Sequence, residues 1–160
     1  MLTKQKCNEL FEYRDGRLYW RHRVAKNIAA GTEAGYVQGN GYKGVTIDKK
    51  MFQLHRVIYM LHCGEWPEVV DHIDGNVFNN RIENLRAATR EQNSANSRIA
   101  KNNTSGVKNV SWCATAKKWT VMLSKNKKAI YFGRFASVSD AEKVARAARK
   151  TLFGEFARHV

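Results

Sequence analysis

The stretch "VVDHIDGNVFNNRIENLRAATREQN", residues 69–93, gathers His72, Asp71, Asp74 and five asparagines around Gly75. Hard divalent cations take carboxylate, amide and water oxygens as ligands. An imidazole, with a reference pKa of about 6.5, can accept a proton near neutral pH. Together these capacities suit phosphodiester hydrolysis, which needs a base for the attacking water and positive charge near the phosphorane and the leaving oxygen. The same residues also suit a plain turn, because Asp, Asn and Gly favour turns through local hydrogen bonds. A calcium loop fails on register: Asp71, Ile73 and Gly75 break the alternation of acidic or amide ligands that such a loop requires.

The surrounding pattern says what must hold these residues. Short alternating runs such as "GRLYWR" and "YKGVTID", separated by Asp15-Gly16, Gly31, Gly35 and Gly39-Asn40-Gly41, predict a small antiparallel sheet in the first fifty residues. From Gln53 the period changes, with Leu54, Val57, Ile58 and Leu61 forming a helical stripe that Gly64 and Pro67 end. Val69 and Val70 open a strand into Asp71, and residues 84–89 return as its partner, leaving a polar loop from Ile73 to Glu83. Thr89 and Gln92 have capping-box spacing and predict a helix to about Ala100.

Residues 101–106, "KNNTSG", read as a linker. Beyond it "VKNVSW", "KWTVMLSK" and "AIYFGRF" predict three strands. A helix should follow from Ser137, with Ala141, Val144, Ala145, Ala148 and Leu152 as its stripe and Gly154 as its stop. The fold class expected is α+β: an N-terminal β region over 1–52, a strand-strand-helix core over 53–100, the linker, and a three-stranded sheet packed on one helix over 107–160.

The net charge of +14 is uneven: residues 1–50 carry +5, residues 51–100 carry −1 and residues 101–160 carry +10. A lopsided excess points to a polyanionic partner such as nucleic acid, and a solvated basic face is the plainer alternative. Cys7, Cys63 and Cys113 are odd in number and form no C-x-x-C pair, which suggests buried thiols and neither a zinc ribbon nor a disulfide framework. No apolar run reaches the roughly 18 residues of a membrane span and the start lacks a signal-peptide core. A cytoplasmic location is therefore expected, the host cytoplasm if the gene is a phage's, with no membrane partner.

Residues 54–97, with the elements D-H-I-D-G-N, N-N-R and E-N-L, resemble the HNH homing-endonuclease family of phages and introns, whose ββα-metal core is a hairpin followed by a helix. The resemblance implies that His72 is the general base and that Asp71 is a metal ligand at the hairpin start. It makes Asn84 the middle residue holding loop and imidazole, and Asn93 the second metal ligand, on the following helix. Asparagine stands where the name-giving pattern has its last histidine, an H-N-N variant, and a carboxylate with an amide oxygen suits Mg2+ or Mn2+, one ion per active site. Asn96 and Ser97 share the predicted helical face of Asn93 and could assist through water, or simply be solvated. His55 reads as packed beside the apolar stripe, and His22, His62 and His159 carry no site signal.

Residues 104–157 resemble the ethylene-response-factor (APETALA-type) DNA-binding domain, the likeness resting on "SGVKNVSW", "YFGRF" and the alanine-rich helix. By that resemblance Lys108, Trp112 and Tyr131 fall at DNA-contact positions, while Val110, Met122, Ser124 and Ala129 replace the usual charged groups. What remains is a cationic sheet of Lys108, Lys117, Lys118, Lys125, Lys127, Lys128 and Arg134, suited mainly to phosphates. Trp119 reads as core. In the N-terminal region Arg21 and Arg23, with Arg14, Arg17, Lys26 and Lys43, lie among Tyr13, Tyr19, Trp20 and Tyr42. That mixture is compatible with a groove-binding surface or with a structural start to the nuclease fold.

The expectation is a metal-dependent endonuclease acting on double-stranded DNA, leaving 5′-phosphate and 3′-hydroxyl ends. The chain is expected to be a monomer or weak homodimer; with one centre per chain a monomer would nick, and a double-strand break would require a dimer or two encounters. The rivals are a sequence-specific DNA-binding regulator without catalysis and an RNA-binding accessory protein.

Overall fold

A computed structural model describes residues 2–159. Among them are four α-helices and several small antiparallel sheets, a mixed α and β fold. None of the helices is long and apolar enough to cross a membrane. The chain falls into two compact units, Met1–Ala88 and Thr89–Val160.

The first unit opens with α1 (Lys4–Leu10), a helix where only sheet was expected. Thr3 explains its start, since its side chain accepts from the Lys6 N–H at 3.2 Å and so satisfies one of the first-turn donors. β1 (Phe11–Arg14), β2 (Arg17–Trp20) and β3 (Glu33–Ala34) form one sheet; β4 (Tyr36–Val37), β5 (Lys43–Ile47) and β6 (Lys50–Gln53) form a second. The single expected sheet is therefore divided, and Gly35 marks the division. It holds φ at +105°, and a Cβ there would stand 3.1 Å from the Gly44 carbonyl oxygen and 3.3 Å from the Leu54 side chain, so only glycine lets the strand turn this tightly.

Next comes α2 (Leu54–Cys63), whose predicted stripe is the buried one: Leu54, Val57 and Ile58 have no exposure. Gly64 closes it in the left-handed conformation, φ 75°. β7 (Val69–His72) and β8 (Leu85–Ala88) then pair antiparallel, Asp71 opposite Arg86 and His72 opposite Leu85. Val70 and Leu85 pack into the same core as Phe11, Leu18, Val45 and Leu54, so the N-terminal elements and the β7–β8 hairpin share one interior.

The second unit holds α3 (Arg90–Ala95), β9 (Val110–Cys113), β10 (Lys118–Lys125), β11 (Lys128–Phe135) and α4 (Val138–Phe153). The sheet order is β11-β10-β9, and its inner residues Val110, Val121 and Leu123 pack on Ala141, Ala145 and Ala148 of α4. Ser137 caps α4 by accepting from the Ser139 N–H. α3 begins with the expected capping box of Thr89 and Gln92 but stops at Ala95, about a turn short of the expected end. Its last carbonyl is taken elsewhere: the Lys108 ammonium donates to Ala95 O, and to Ser97 O just beyond the helix. The expected linker is hydrogen-bonded too, with Asn103 accepting from Gly106 N–H at 2.8 Å and donating to Val107 O at 3.0 Å.

Candidate active site

β7 ends on Asp71 and His72, so both are set by the ladder to β8, Asp71 opposite Arg86 and His72 opposite Leu85. Both are buried, at 3 % and 5 % exposure. The Asp71 carboxylate faces Arg86 across the pair: Arg86 Nε donates to Oδ2 at 2.9 Å, and Nη2 stands 2.9 Å from the same oxygen. Two charged groups removed from water need this pairing, because an isolated buried carboxylate would be strongly disfavoured.

The imidazole is held from several sides. His72 Nε2 lies 2.9 Å from Asn80 Oδ1, and an amide oxygen can only accept, so Nε2 carries the proton and Nδ1 the lone pair. His55 packs against the ring with centroids 4.9 Å apart, and Tyr42 stands 5.5 Å from His55 and 6.3 Å from His72. His55 is the packed histidine that its place beside the stripe suggested, at 4 % exposure. Burial, then the nearby His72 and Arg56, push its pKa down to about 3. Between about pH 6.5 and 3 the unfolded chain thus holds a proton at this position that the folded chain lacks, so stability falls as pH falls through that window. Unfolding free energies from urea denaturation between pH 7 and 4.5 should decline by up to about 1.4 kcal/mol per pH unit on this account, and His55→Phe should flatten the slope.

Residues 73–84 are organised by Asp74 and Asn84. Asn84 Nδ2 donates to Asp74 Oδ1 (2.9 Å) and to Asn79 O (2.8 Å), and its Oδ1 accepts from the Asp74 N–H (3.0 Å). Asn79 Nδ2 donates to Asp74 Oδ2 at 2.7 Å, and the Asn76 N–H to Oδ1 at 2.8 Å. Partial burial pushes the Asp74 carboxyl up, but the hydrogen bonds from Asn79, Asn76 and Asn84, with His72 nearby, outweigh it and leave the pKa lowered. Asp74 is thus the hub of the turn. Asn84 bonds within the loop and not to the imidazole, whose hydrogen bond comes from Asn80, which is 3 % exposed and was not singled out from the sequence. The second asparagine of "NNR" was its only signal.

The N-terminal hairpin reaches this loop. Tyr13 Oη accepts the Ile82 N–H at 3.0 Å, and Gly16, in the β1–β2 turn, faces the peptide joining Asn80 to Arg81. Of the two readings of that region, contact of this kind is structural support.

Asn93 belongs to the second unit, exposed on α3. Asn96 caps that helix and is buried, and Ser97 lies beyond the helix, its hydroxyl donating to Ser94 O at 2.7 Å. Among the described residues no group of three or more His, Cys, Asp and Glu side chains could hold a metal ion. A small hard cation does not require one, since Mg2+ is commonly bound by one or two protein oxygens with water and substrate phosphate completing its shell. The carboxylate of Asp71 and the amide of Asn93 are each oxygen donors of the kind such an ion takes.

The basic residues of the second unit separate into two groups. Lys108 is turned inward to α3; burial, then the charges of Arg149 and Arg158, push its pKa down to about 8. Lys125 donates to Leu152 O near the end of α4 at 2.9 Å. Lys117, Lys118, Lys127, Lys128, Tyr131 and Arg134 are exposed. The register places Thr120 opposite Arg134 and Met122 opposite Tyr131, on the face away from Val121 and Leu123, and Lys118 alternates onto that face. Trp112 pairs with Trp119, ring centroids 5.0 Å apart, which puts it on the α4 side of the sheet although it is 48 % exposed. Arg21 and Arg23 are exposed but fold back, Arg21 Nε donating to Phe11 O at 2.8 Å and Arg23 Nε to Ala25 O at 3.2 Å.

Comparison with known proteins adds the following. Residues 52–95 match the HNH endonuclease family. The chain is 36 % identical over 89 residues to protein 3.8 of Escherichia phage T7, a match covering 56 % of this chain and 73 % of that protein. It is 35 % identical over 125 residues to an uncharacterized HNH endonuclease of Acanthamoeba polyphaga mimivirus, covering 76 % of this chain and 64 % of the relative. The likeness of residues 104–157 to the ethylene-response-factor type gains no support from these matches. No solved structure matches significantly.

Proposed function

The chain belongs to one family with phage T7 protein 3.8 and carries an HNH endonuclease domain over residues 52–95; from that premise we propose that it is a divalent-metal-dependent, homing-type DNA endonuclease. The observation that carries the reading is the imidazole of His72, fixed at the end of β7 beside a buried carboxylate, with its Nε2 proton donated to Asn80. In the tautomer that donates through Nε2, Nδ1 carries the lone pair that would take the proton of an attacking water. Once His72 is protonated, both ring nitrogens donate, and Asn80 can keep its bond throughout. Asn84 and Asp74 keep the loop closed behind the ring. Asp71 and Asn93 would hold a Mg2+ or Mn2+ ion, which when bound supplies positive charge to the phosphorane and the departing 3′ oxygen. Products would be a 5′-phosphate and a 3′-hydroxyl. One such centre per chain cuts one strand, so a monomer would nick duplex DNA, and a double-strand break would require a dimer or two encounters.

The exposed sheet face of the second unit is the duplex-holding surface in this reading, an ethylene-response-factor-like module in arrangement with fewer base-reading groups. Lys118 and Arg134 lie on it, Lys117 in the turn before it, and Tyr131 offers a ring. Lysines here neutralise phosphates more than they read bases. Replacing Lys117, Lys118 and Arg134 by alanine should lower the slope of log K against log salt by about 0.9 for each phosphate no longer neutralised, measured by fluorescence anisotropy on duplex DNA. An unchanged slope would move the DNA surface elsewhere.

Supercoiled plasmid incubated with the protein and Mg2+ or Mn2+ should be nicked, and chelation by EDTA should stop the reaction. Plasmid left intact with both ions would refute the nuclease reading. Duplex retained without metal and never cut would favour the regulator.

A further inference from the structure

We propose that the β1–β2 hairpin, outside the family match, is a positioning element of the nuclease centre, with Tyr13 and Gly16 fixing the loop that presents Asn80 to His72. This rests on the reading of His72 as the general base. Two independent contacts support it, both within the first unit. Tyr13 Oη accepts the Ile82 N–H at 3.0 Å, two residues beyond Asn80. Gly16, at φ +80°, leaves no room above it: an added Cβ would stand 2.7 Å from Arg81 N and 2.9 Å from the Asn80 carbonyl carbon. Both of those atoms belong to the peptide on which Asn80 is mounted, and backbone cannot swing aside as the tip of a long side chain can.

Asn80 in turn fixes the ring, through the 2.9 Å contact between its Oδ1 and His72 Nε2. The hairpin is itself anchored, since Phe11 and Leu18 are buried in the common core and Tyr13 packs edge-on against His62 at 4.5 Å. The path from core to imidazole therefore runs through hairpin, peptide and amide. A displacement of about 1 Å at a reacting group can lower a rate by about 100-fold. A loop held only by its own turn hydrogen bonds would leave the Asn80 amide free to drift by that much.

The test uses the full chain and two substitutions. Tyr13→Phe keeps the ring and removes the acceptor for Ile82 N–H; Gly16→Ala pushes on the Asn80–Arg81 peptide. Each is expected to lower kcat for plasmid nicking by about 10-fold or more while KM for DNA stays within about twofold. Nitrogen-15 spectra of the His72 ring should show one proton-bearing and one lone-pair nitrogen in the unsubstituted protein, and averaging of the two in both variants. A variant that merely loosens the fold would lower the melting temperature without changing the tautomer. An unsubstituted kcat and an unsubstituted ring spectrum in Tyr13→Phe would overturn the proposal, whether or not Gly16→Ala folds. If the unsubstituted protein does not nick at all, the nuclease reading fails, and the ring spectra alone still decide whether the hairpin positions His72.

Discussion

His72→Ala is expected to reduce plasmid nicking by about 10²- to 10⁴-fold, the range contributed by a positioned general base. The loss should appear in kcat, because in the proposed function the imidazole acts on the attacking water and basic groups elsewhere in the chain hold the duplex. Anisotropy with a labelled duplex should therefore give a Kd within about threefold of the unsubstituted protein. The ring is 5 % exposed and packs on His55, so its removal also opens a cavity, and thermal melting is needed beside the rate. His72→Asn, which refills part of the space but cannot accept a proton near neutral pH, should be as inactive as the alanine variant. Nicking at the unsubstituted rate by either protein would remove His72 from the chemistry.

Arg86→Met should destabilise the first unit by about 3–5 kcal/mol, the usual consequence of stripping one partner from a buried ion pair. Asp71 is 3 % exposed and pairs with Arg86 at 2.9 Å, and methionine covers a similar length without charge. Urea denaturation followed by tryptophan fluorescence would report the change through Trp20, which lies in the same core. Two further arms identify its origin. The double variant Asp71→Asn with Arg86→Met should lose less than the sum of the single losses, because the stranded charge is gone. Added Mg2+ should restore part of the lost stability in Arg86→Met and none in the double variant, as expected of a ligand that binds the folded state through that carboxylate. Equal losses in the single and double variants would show that Arg86 contributes packing alone.

The site was legible to different depths. The resemblance to the HNH family implied the roles of Asp71, His72 and Asn84, whereas chain neighbours alone made a D-H pair at a strand end and a polar loop behind it legible. The same holds for the Thr89–Gln92 capping box and the α2 stripe. Asn80 was hidden among four other asparagines, since which of them meets the imidazole depends on how residues 73–84 coil. The inward turn of Lys108 and Lys125 was hidden for a similar reason: a lysine on a strand reads as surface until a helix end with open carbonyls is placed beside it. α1 was missed because its seven residues carry too weak a period, and only the Thr3 cap marked it. The end of α3 was misplaced because its stop signal is a distant lysine and no glycine or proline.

By itself the sequence determined the kinds of atoms available and their order along the chain: one imidazole beside a carboxylate, amides behind them, and cations concentrated at the two ends. Periodicity and capping act over a few residues, so they fixed most elements as well. Tertiary structure alone decided the proton's place on His72, the neutral state of His55 and the support of the loop by Tyr13 and Gly16. Each of these is set by desolvation and short-range contact between residues far apart in sequence, interactions that exist only after the chain has closed on itself.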